Sequence, residues 1–235
     1  MQSILTFPLL ILLWFLSRIL AKLRPTWFGE IEPNEWGNLR VIAILNHTSL
    51  YEPVMVGFAT WGLLWRISRH GVLPVAEKTM KRSIGLFFKF LVRHVVVITR
   101  QRDQTWNNVL NKVDDHAVVI ILPEGRMKRR DGLDSTGRPM TVRGGIADIL
   151  EVLDDGRMLL LYSGGLHHIQ VPGQHVPKLF KTVRLGMELV EIPDYKDQVM
   201  AESPDGDFRR AVIDDLTARR DLHCPALEDP SMKSG

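Results

Sequence analysis

Residues 40–53 read RVIAILNHTSLYEP, and this stretch decides the fold of the chain. Its first six residues are almost entirely apolar, which is typical of a strand buried on both faces of a sheet. Pro53 suits the first turn of a helix, and the apolar residues after it predict a helix through Ile67. A buried strand, a polar loop and a helix in this order indicate an α/β sheet.

The rest of the chain continues the alternation of strands and helices. Further strands are predicted at 72–76, 94–99, 117–122, 158–163 and 182–190, and helices at 83–92, 103–114, 144–153 and 206–221. We therefore expect an α/β fold, a mostly parallel mixed sheet covered by helices on both faces. The 235 residues are enough for one core, and the single Cys224 excludes an internal disulfide framework and a Cys-rich zinc site.

The N-terminal segment predicts membrane attachment. Residues 1–17 are uncharged and rich in Leu, Ile, Phe and Trp, and the bases Arg18, Lys22 and Arg24 follow. The apolar run is short for a spanning helix, but it reaches bilayer length if the helix continues through Leu23. A spanning helix and a helix lying in the interface both remain open, and a buried core helix is the third alternative. If the segment spans, the bases after it would hold the rest of the chain on the cytoplasmic side.

The formal net charge of +3 hides an uneven distribution. Residues 66–102 contain nine basic side chains and a single acidic one, whereas residues 144–235 are acidic overall. Such clustering favours an anionic partner such as nucleic acid, anionic lipid or a phosphorylated substrate, although a solvated basic face explains it equally well. Because the basic stretch has no interleaved exposed aromatics and no nucleic-acid motif, we expect no nucleic-acid partner.

The loop at residues 46–52 follows the carboxyl end of a buried strand, where open α/β sheets usually build their sites. His47 can act there as a general base, and a carboxylate such as Glu52 would fix its tautomer. On a regular helix the two side chains would point about 140° apart, so the chain must turn between them. Pro53 favours such a turn. Alternatively, Ser49 and Glu52 form a helix capping box with no catalytic role.

A second polar loop, residues 123–130, reads PEGRMKRR and follows the strand predicted at 117–122. Its bases and backbone amides could hold a phosphate group. A solvated surface loop is an equally good interpretation of this segment alone.

Taken together, these segments resemble the glycerolipid acyltransferase family, which includes the lysophosphatidic acid acyltransferases. The resemblance covers roughly residues 40–170. The family's Asn-His-x-Ser-x-x-Asp block corresponds to residues 46–52, its apolar run ending in Arg to 95–100, its Phe-Pro-Glu-Gly-Thr-Arg block to 122–127, and the basic-Gly segment after it to 142–145. Glu52 replaces the family's Asp, and Met127 stands where the family has its phosphate-binding Arg.

The resemblance implies a membrane-associated enzyme that moves a fatty acyl group from acyl-CoA or acyl-carrier protein to a lysophospholipid-type acceptor. His47 would be the general base and Glu52 would orient it. The substrate-binding residues implied are Asn46, Ser49, Arg100, Glu124, Gly125, Arg126 and Lys128. No cofactor or metal is implied, since the acyl thioester is a co-substrate. The partners are then the membrane lipid bilayer, the lysolipid and the acyl donor.

This interpretation divides the chain into a membrane-attaching helix at 1–24, an acyltransferase domain at 25–222 on the cytoplasmic side, and a polar tail at 223–235. Two alternatives remain open. One is a non-catalytic, membrane-bound lipid-binding protein on the same fold, which the changes at Glu52 and Met127 favour. The other is acyl transfer to a non-glycerol lipid such as an amino-acid lyso-lipid.

Overall fold

The computed structural model describes residues 2–29, 36–99, 101–170 and 177–225. Within these ranges one sheet contains seven strands: β1 (Ala21–Phe28), β2 (Leu39–Leu45), β3 (Gly71–Ala76), β4 (His94–Ile98), β5 (Val118–Ile121), β6 (Arg157–Ser163) and β7 (Lys181–Glu191). Their order across the sheet is β1-β7-β6-β2-β5-β3-β4. All neighbouring pairs are parallel except β6 and β7. The predicted α/β fold with a mostly parallel mixed sheet is confirmed.

The helices are α1 (Gln2–Leu20), a 3₁₀-helix (Glu52–Phe58), α2 (Trp61–His70), α3 (Glu77–Met80), α4 (Ser83–Phe88), α5 (Gln104–Leu110), α6 (Gly145–Glu151), α7 (Ile192–Ala201) and α8 (Phe208–His223). The single helix predicted from Pro53 to Ile67 is wrong, because Thr60 caps a new helix by accepting a hydrogen bond from the Leu63 N–H. The helices predicted at 83–92 and 103–114 are shorter than expected, and α7 was not predicted.

The central strand β2 divides the core into two layers. Leu39, Ile42 and Ile44 point to the first layer, whereas Val41, Ala43 and Leu45 point to the second. We call the layer under α1, the 3₁₀-helix and α2 the first face, and the layer under α5 to α8 the second face. All seven residues of β2 are buried, because helices cover the sheet on both sides.

The N-terminal helix ends at Leu20 and does not continue through Leu23, which was the condition for reaching bilayer length. Residues Ala21–Phe28 instead form β1, which pairs with the edge of β7. The backbone N–H and C=O groups of β1 form hydrogen bonds with β7, which lies far away in the sequence. Because β1 is an edge strand, it tolerates Pro25, which has no N–H group to donate.

Helix α1 packs against the 3₁₀-helix and α2, and the Trp14 indole N–H donates to the Ala59 carbonyl over 2.9 Å. The opposite side of α1 exposes the apolar side chains Leu12, Phe15 and Ile19. Among the residues described, no helix combines the length and the apolar character needed to cross a membrane.

Candidate active site

The site forms where the carboxyl ends of β2 and β5 meet. Because these strands are parallel neighbours, the loops that follow them emerge side by side. Glu124, after β5, is 1% exposed, and its two carboxylate oxygens accept the backbone N–H groups of Asn46 and His47 over 2.9 and 2.8 Å. Glu124 therefore holds the backbone of the loop that carries His47.

His47 and Glu52 face each other across a tight turn. The imidazole Nδ1 lies 3.0 Å from Glu52 Oε2, and both side chains are largely buried. Asn46 begins the turn in the left-handed region, with φ 63°, a conformation that asparagine tolerates better than most residues. The turn that the sequence required between the two side chains is present.

Glu52 also serves the local backbone. Its Oε1 accepts the N–H groups of Thr48 and Ser49 over 2.9 and 3.0 Å. The expected capping box does not form, because the 3₁₀-helix begins at Glu52 with Tyr51 as its N-cap and no side chain caps it. The Ser49 hydroxyl donates to Gln170 Oε1 over 2.7 Å. One carboxylate oxygen thus caps the backbone N–H groups of the turn while the other faces the imidazole, so this capping role and the orienting role coexist.

The environment of His47 acts on its protonation in two directions. Burial lowers the pKa of His47 because it disfavours the charged imidazolium, but the Glu52 carboxylate and the charge of Glu124 raise it. The net direction is a pKa raised above the ordinary value of 6.5. A base of this kind holds an abstracted proton more strongly than free imidazole does.

An apolar cavity of about 430 Å³ extends from His47 and Glu52 between the sheet and the helices of the first face, and residues of α5, α6 and α8 line its polar end. Its lining combines Ile42 and Leu161 from the sheet with Met55 from the 3₁₀-helix, Leu63 from α2 and Leu10 from α1. Such a volume is in the range of small-molecule sites, and its apolar walls suit a hydrocarbon chain.

The structure places the predicted site residues in three groups. His47, Glu52 and Gly125 line the cavity. The side chains of Asn46, Ser49 and Glu124 are engaged in hydrogen bonds beside it, with Asn46 Nδ2 donating to the Ser163 carbonyl over 2.8 Å. These six residues are therefore brought together, and their roles toward a substrate stay predictions.

The bases of the second loop are placed differently. The Arg126 guanidinium pairs with the Asp134 carboxylate, and Lys128 contacts the His47 loop through its backbone N–H, which donates to the His47 carbonyl over 2.7 Å. Both lie outside the cavity lining that the described residues form. Arg100 lies outside the described residues. Phosphate binding by these three residues stays a prediction.

Other basic residues line the cavity beside Gly125. They are Arg102, which follows β4, Arg143, which precedes α6, and Arg209 on α8. Arg143 belongs to the basic-Gly segment noticed in the sequence, and its Nε–H donates to the Glu124 carbonyl over 3.2 Å. Sequence analysis noticed Arg102 only as one base of the stretch 66–102 and missed Arg209, because only the docking of α8 beside α6 brings Arg209 to this edge of the sheet.

No protein-family model matches the chain, and a search of curated proteins found no match. Among solved structures, the chain is similar to the 1-acyl-sn-glycerophosphate (LPA) acyltransferase PlsC from Thermotoga maritima. The sequence identity is 16%, the match covers 89% of this chain and 80% of that chain, and the TM-score is 0.54. At this identity the likeness shows a shared fold, the one that the sequence resemblance implied.

Proposed function

We propose that this chain is an acyltransferase that moves a fatty acyl group from acyl-CoA or acyl-carrier protein to a lysophospholipid-type acceptor. The observation that carries the proposal is the contact of His47 with Glu52 in the wall of an apolar cavity. The solved structure with the same fold is named as an LPA acyltransferase, which supports the same reaction class.

In the proposed reaction, Nδ1 of His47 faces Glu52, so Nε2 is the nitrogen that acts on the substrate. It takes the proton of the acceptor hydroxyl as the hydroxyl oxygen attacks the thioester carbonyl carbon. The new C–O bond forms, the C–S bond breaks, and the proton passes from Nε2 to the departing sulfur. The products are an ester and a free thiol, and Glu52 stabilises the imidazolium in between.

The proposal includes attachment to the membrane interface, with the body of the chain on the cytoplasmic side. The side of α1 that faces away from α2 exposes apolar side chains, and α2 itself exposes Trp61 and Trp65. The rings of Phe7 and Trp65 meet edge to face with centroids 5.0 Å apart, so the exposed aromatic residues of α2 lie next to α1. Tryptophan favours the boundary between lipid and water, and the basic residues nearby in sequence suit anionic headgroups.

The decisive experiment compares His47→Ala with the wild type. Purified protein is incubated with acyl-CoA or acyl-carrier protein and a panel of lysophosphatidic acid, other lysophospholipids and amino-acid lyso-lipids, and thiol release and lipid product are measured. We expect His47→Ala to lower the rate by about 10²- to 10⁴-fold, because it removes the general base. Circular dichroism should show an unchanged fold.

His116→Ala is the matched control. His116 is an exposed histidine before β5, at the opposite end of the strand from Glu124, and its replacement should leave the rate unchanged. Equal activity of His47→Ala and the wild type would contradict the assignment of the base. Tight lysolipid binding with no transfer from any donor would instead favour the non-catalytic lipid-binding alternative.

A further inference from the structure

A buried carboxylate on α6 organises the polar side of the cavity. Asp148 is 2% exposed, and its side chain contacts two guanidinium groups and an indole. Its Oδ1 lies 3.0 Å from Arg102 Nη2 and also accepts a hydrogen bond from Arg209 Nη1. Its Oδ2 accepts the Trp106 indole N–H over 2.9 Å. Asp148 therefore fixes two arginines that come from distant parts of the chain.

Two glycines make room for this arrangement. A Cβ atom on Gly144 would lie 2.2 Å from Cζ of Arg209, and one on Gly145 would lie 3.0 Å from the Trp106 ring. The guanidinium of Arg209 is thus packed directly against the backbone at Gly144. Because φ at Gly144 is −68°, its backbone would accept an alanine, so close packing and not backbone strain explains this glycine.

A continuous series of contacts joins these arginines to His47. Glu124 binds the backbone of His47, and the Arg143 side chain lies over the next residue, Gly125, where a Cβ atom would be 3.4 Å from Arg143 Cδ. Arg143 is followed directly by Gly144, on which Arg209 packs. The arginines and His47 line the same cavity.

The charge of this region is not balanced. The guanidinium groups of Arg102 and Arg209 share the single carboxylate of Asp148, and the other lining carboxylate, Glu52, faces His47. Each guanidinium has five N–H donors in a planar fork, which matches the oxygens of a phosphate group. The Arg102 and Arg209 side chains are 64% and 37% exposed, so a ligand can reach them.

We propose that Arg102, Arg143 and Arg209 form a phosphate-binding site, which we call the arginine site. It would bind a phosphate of one substrate and supply the positive charge that Met127 cannot. The choice of substrates rests on the proposed function. Under that function, both a lysophosphatidic acid headgroup and the phosphates of coenzyme A have the required chemistry. The binding of phosphate itself does not depend on catalysis.

The test measures binding without turnover. Isothermal titration gives the affinity of the full chain for octanoyl lysophosphatidic acid and for coenzyme A, each beside its phosphate-free counterpart, monooctanoylglycerol and pantetheine. The variants are Arg102→Gln, Arg209→Gln and Gly144→Ala, which displaces the Arg209 guanidinium and leaves every charge in place. Arg210→Gln is the matched control, since Arg210 is the next residue of α8 and pairs with exposed acids.

We expect each of the three variants to weaken binding of one phosphate-bearing ligand by about 10-fold or more, and of its phosphate-free counterpart by less than about twofold. Weaker binding of lysophosphatidic acid alone assigns the site to the acceptor, and weaker binding of coenzyme A alone assigns it to the donor. If a glutamine variant fails to fold, the affinity of Gly144→Ala for the same ligands tests the arginine site instead.

Unchanged affinity in the three variants, or an equal loss in Arg210→Gln, would overturn the arginine site, because the ion pairs of Asp148 would then only tie α8 to α6. Absence of acyl transfer in the wild type would contradict the proposed function and leave this binding result intact.

Discussion

The two faces of the sheet differ in how they use apolar side chains. On the second face, side chains from α6, α8 and β6 such as Ile146, Ile149, Leu160 and Leu216 are 0% exposed and pack together in one layer. On the first face, apolar side chains from the sheet and from α1, the 3₁₀-helix and α2 surround a cavity of about 430 Å³. One face is filled and the other is hollow.

The difference separates stability from activity. A filled layer gains the dispersion and hydrophobic contacts that stabilise the fold, whereas a cavity forgoes some of those contacts so that a ligand can enter. The hollow face is also the one on which α1 and α2 expose apolar and aromatic side chains. We therefore expect substitutions in the packed layer of the second face to change stability, and substitutions of cavity-lining side chains to change binding and rate.

Adjacent leucines of β6 test this separation most directly. Leu160 points to the second face and Leu161 lines the cavity on the first. We expect Leu160→Ala to lower the free energy of unfolding by about 3–5 kcal/mol and Leu161→Ala by about 1–2 kcal/mol, because Leu161 already borders empty space. Urea unfolding measures both, and equal losses would contradict the comparison. Only Leu161→Ala should shift acyl-chain preference.

Substitution of Glu52 can separate its two roles, which are to orient the His47 imidazole and to cap the backbone N–H groups of the turn. We expect Glu52→Gln to lower the rate of acyl transfer by about 100-fold, because the amide no longer stabilises the imidazolium. Its carbonyl oxygen can still accept the Thr48 and Ser49 N–H groups, so thermal unfolding should change little. Glu52→Asp, which keeps the charge, should retain substantial activity. A fully active Gln variant would leave only the capping role.

The pH dependence of the rate gives a second test of this pair. The base must be neutral, so the rate should rise with pH as His47 loses its proton, and the midpoint should lie above 6.5 because the pKa is raised. In Glu52→Gln the carboxylate that raises the pKa is gone, while burial, which lowers it, remains. The acid limb should therefore move to lower pH. If the rate of Glu52→Gln rises at the same pH as that of the wild type, the assignment of His47 as the titrating base is contradicted.

The smallest expected effect concerns the outer surface of the first face. Phe15 on α1 is 55% exposed, and Leu222 on α8 is 76% exposed on the second face. We expect Phe15→Ser to weaken binding to anionic lipid vesicles about fivefold, because part of a phenyl ring no longer enters the interface. Leu222→Ser should leave vesicle binding unchanged in the same sedimentation assay. Equal effects would show that α1 is not the lipid-facing surface.

Short-range features of the sequence predicted much of the fold. The apolar runs that became β2, β4 and β5 identified buried strands because a strand inside a covered sheet must be apolar throughout. The proximity of His47 and Glu52 followed from five residues of chain and a proline, so it needed no knowledge of distant segments. Asp103 was expected to begin a helix, and its side chain caps α5.

Pairings between distant segments could not be predicted in the same way. Residues Ala21–Phe28 looked like the flank of a membrane helix, and they became a strand because the edge of β7 offered hydrogen-bond partners. Arg126 and Lys128 looked like the phosphate-binding bases of their loop, but Arg126 is held by Asp134. Arg209 lies in a charged helix whose sequence gives no sign of a site.

By itself, the sequence determined that the chain forms a mostly parallel α/β sheet and that His47 and Glu52 lie at a strand end, because apolar periodicity and a short turn act over a few residues. Only the tertiary structure decided which arginines line the cavity and which face of the sheet is hollow. Those features depend on how α1, α6 and α8 pack against the sheet, and packing joins side chains that the sequence keeps far apart.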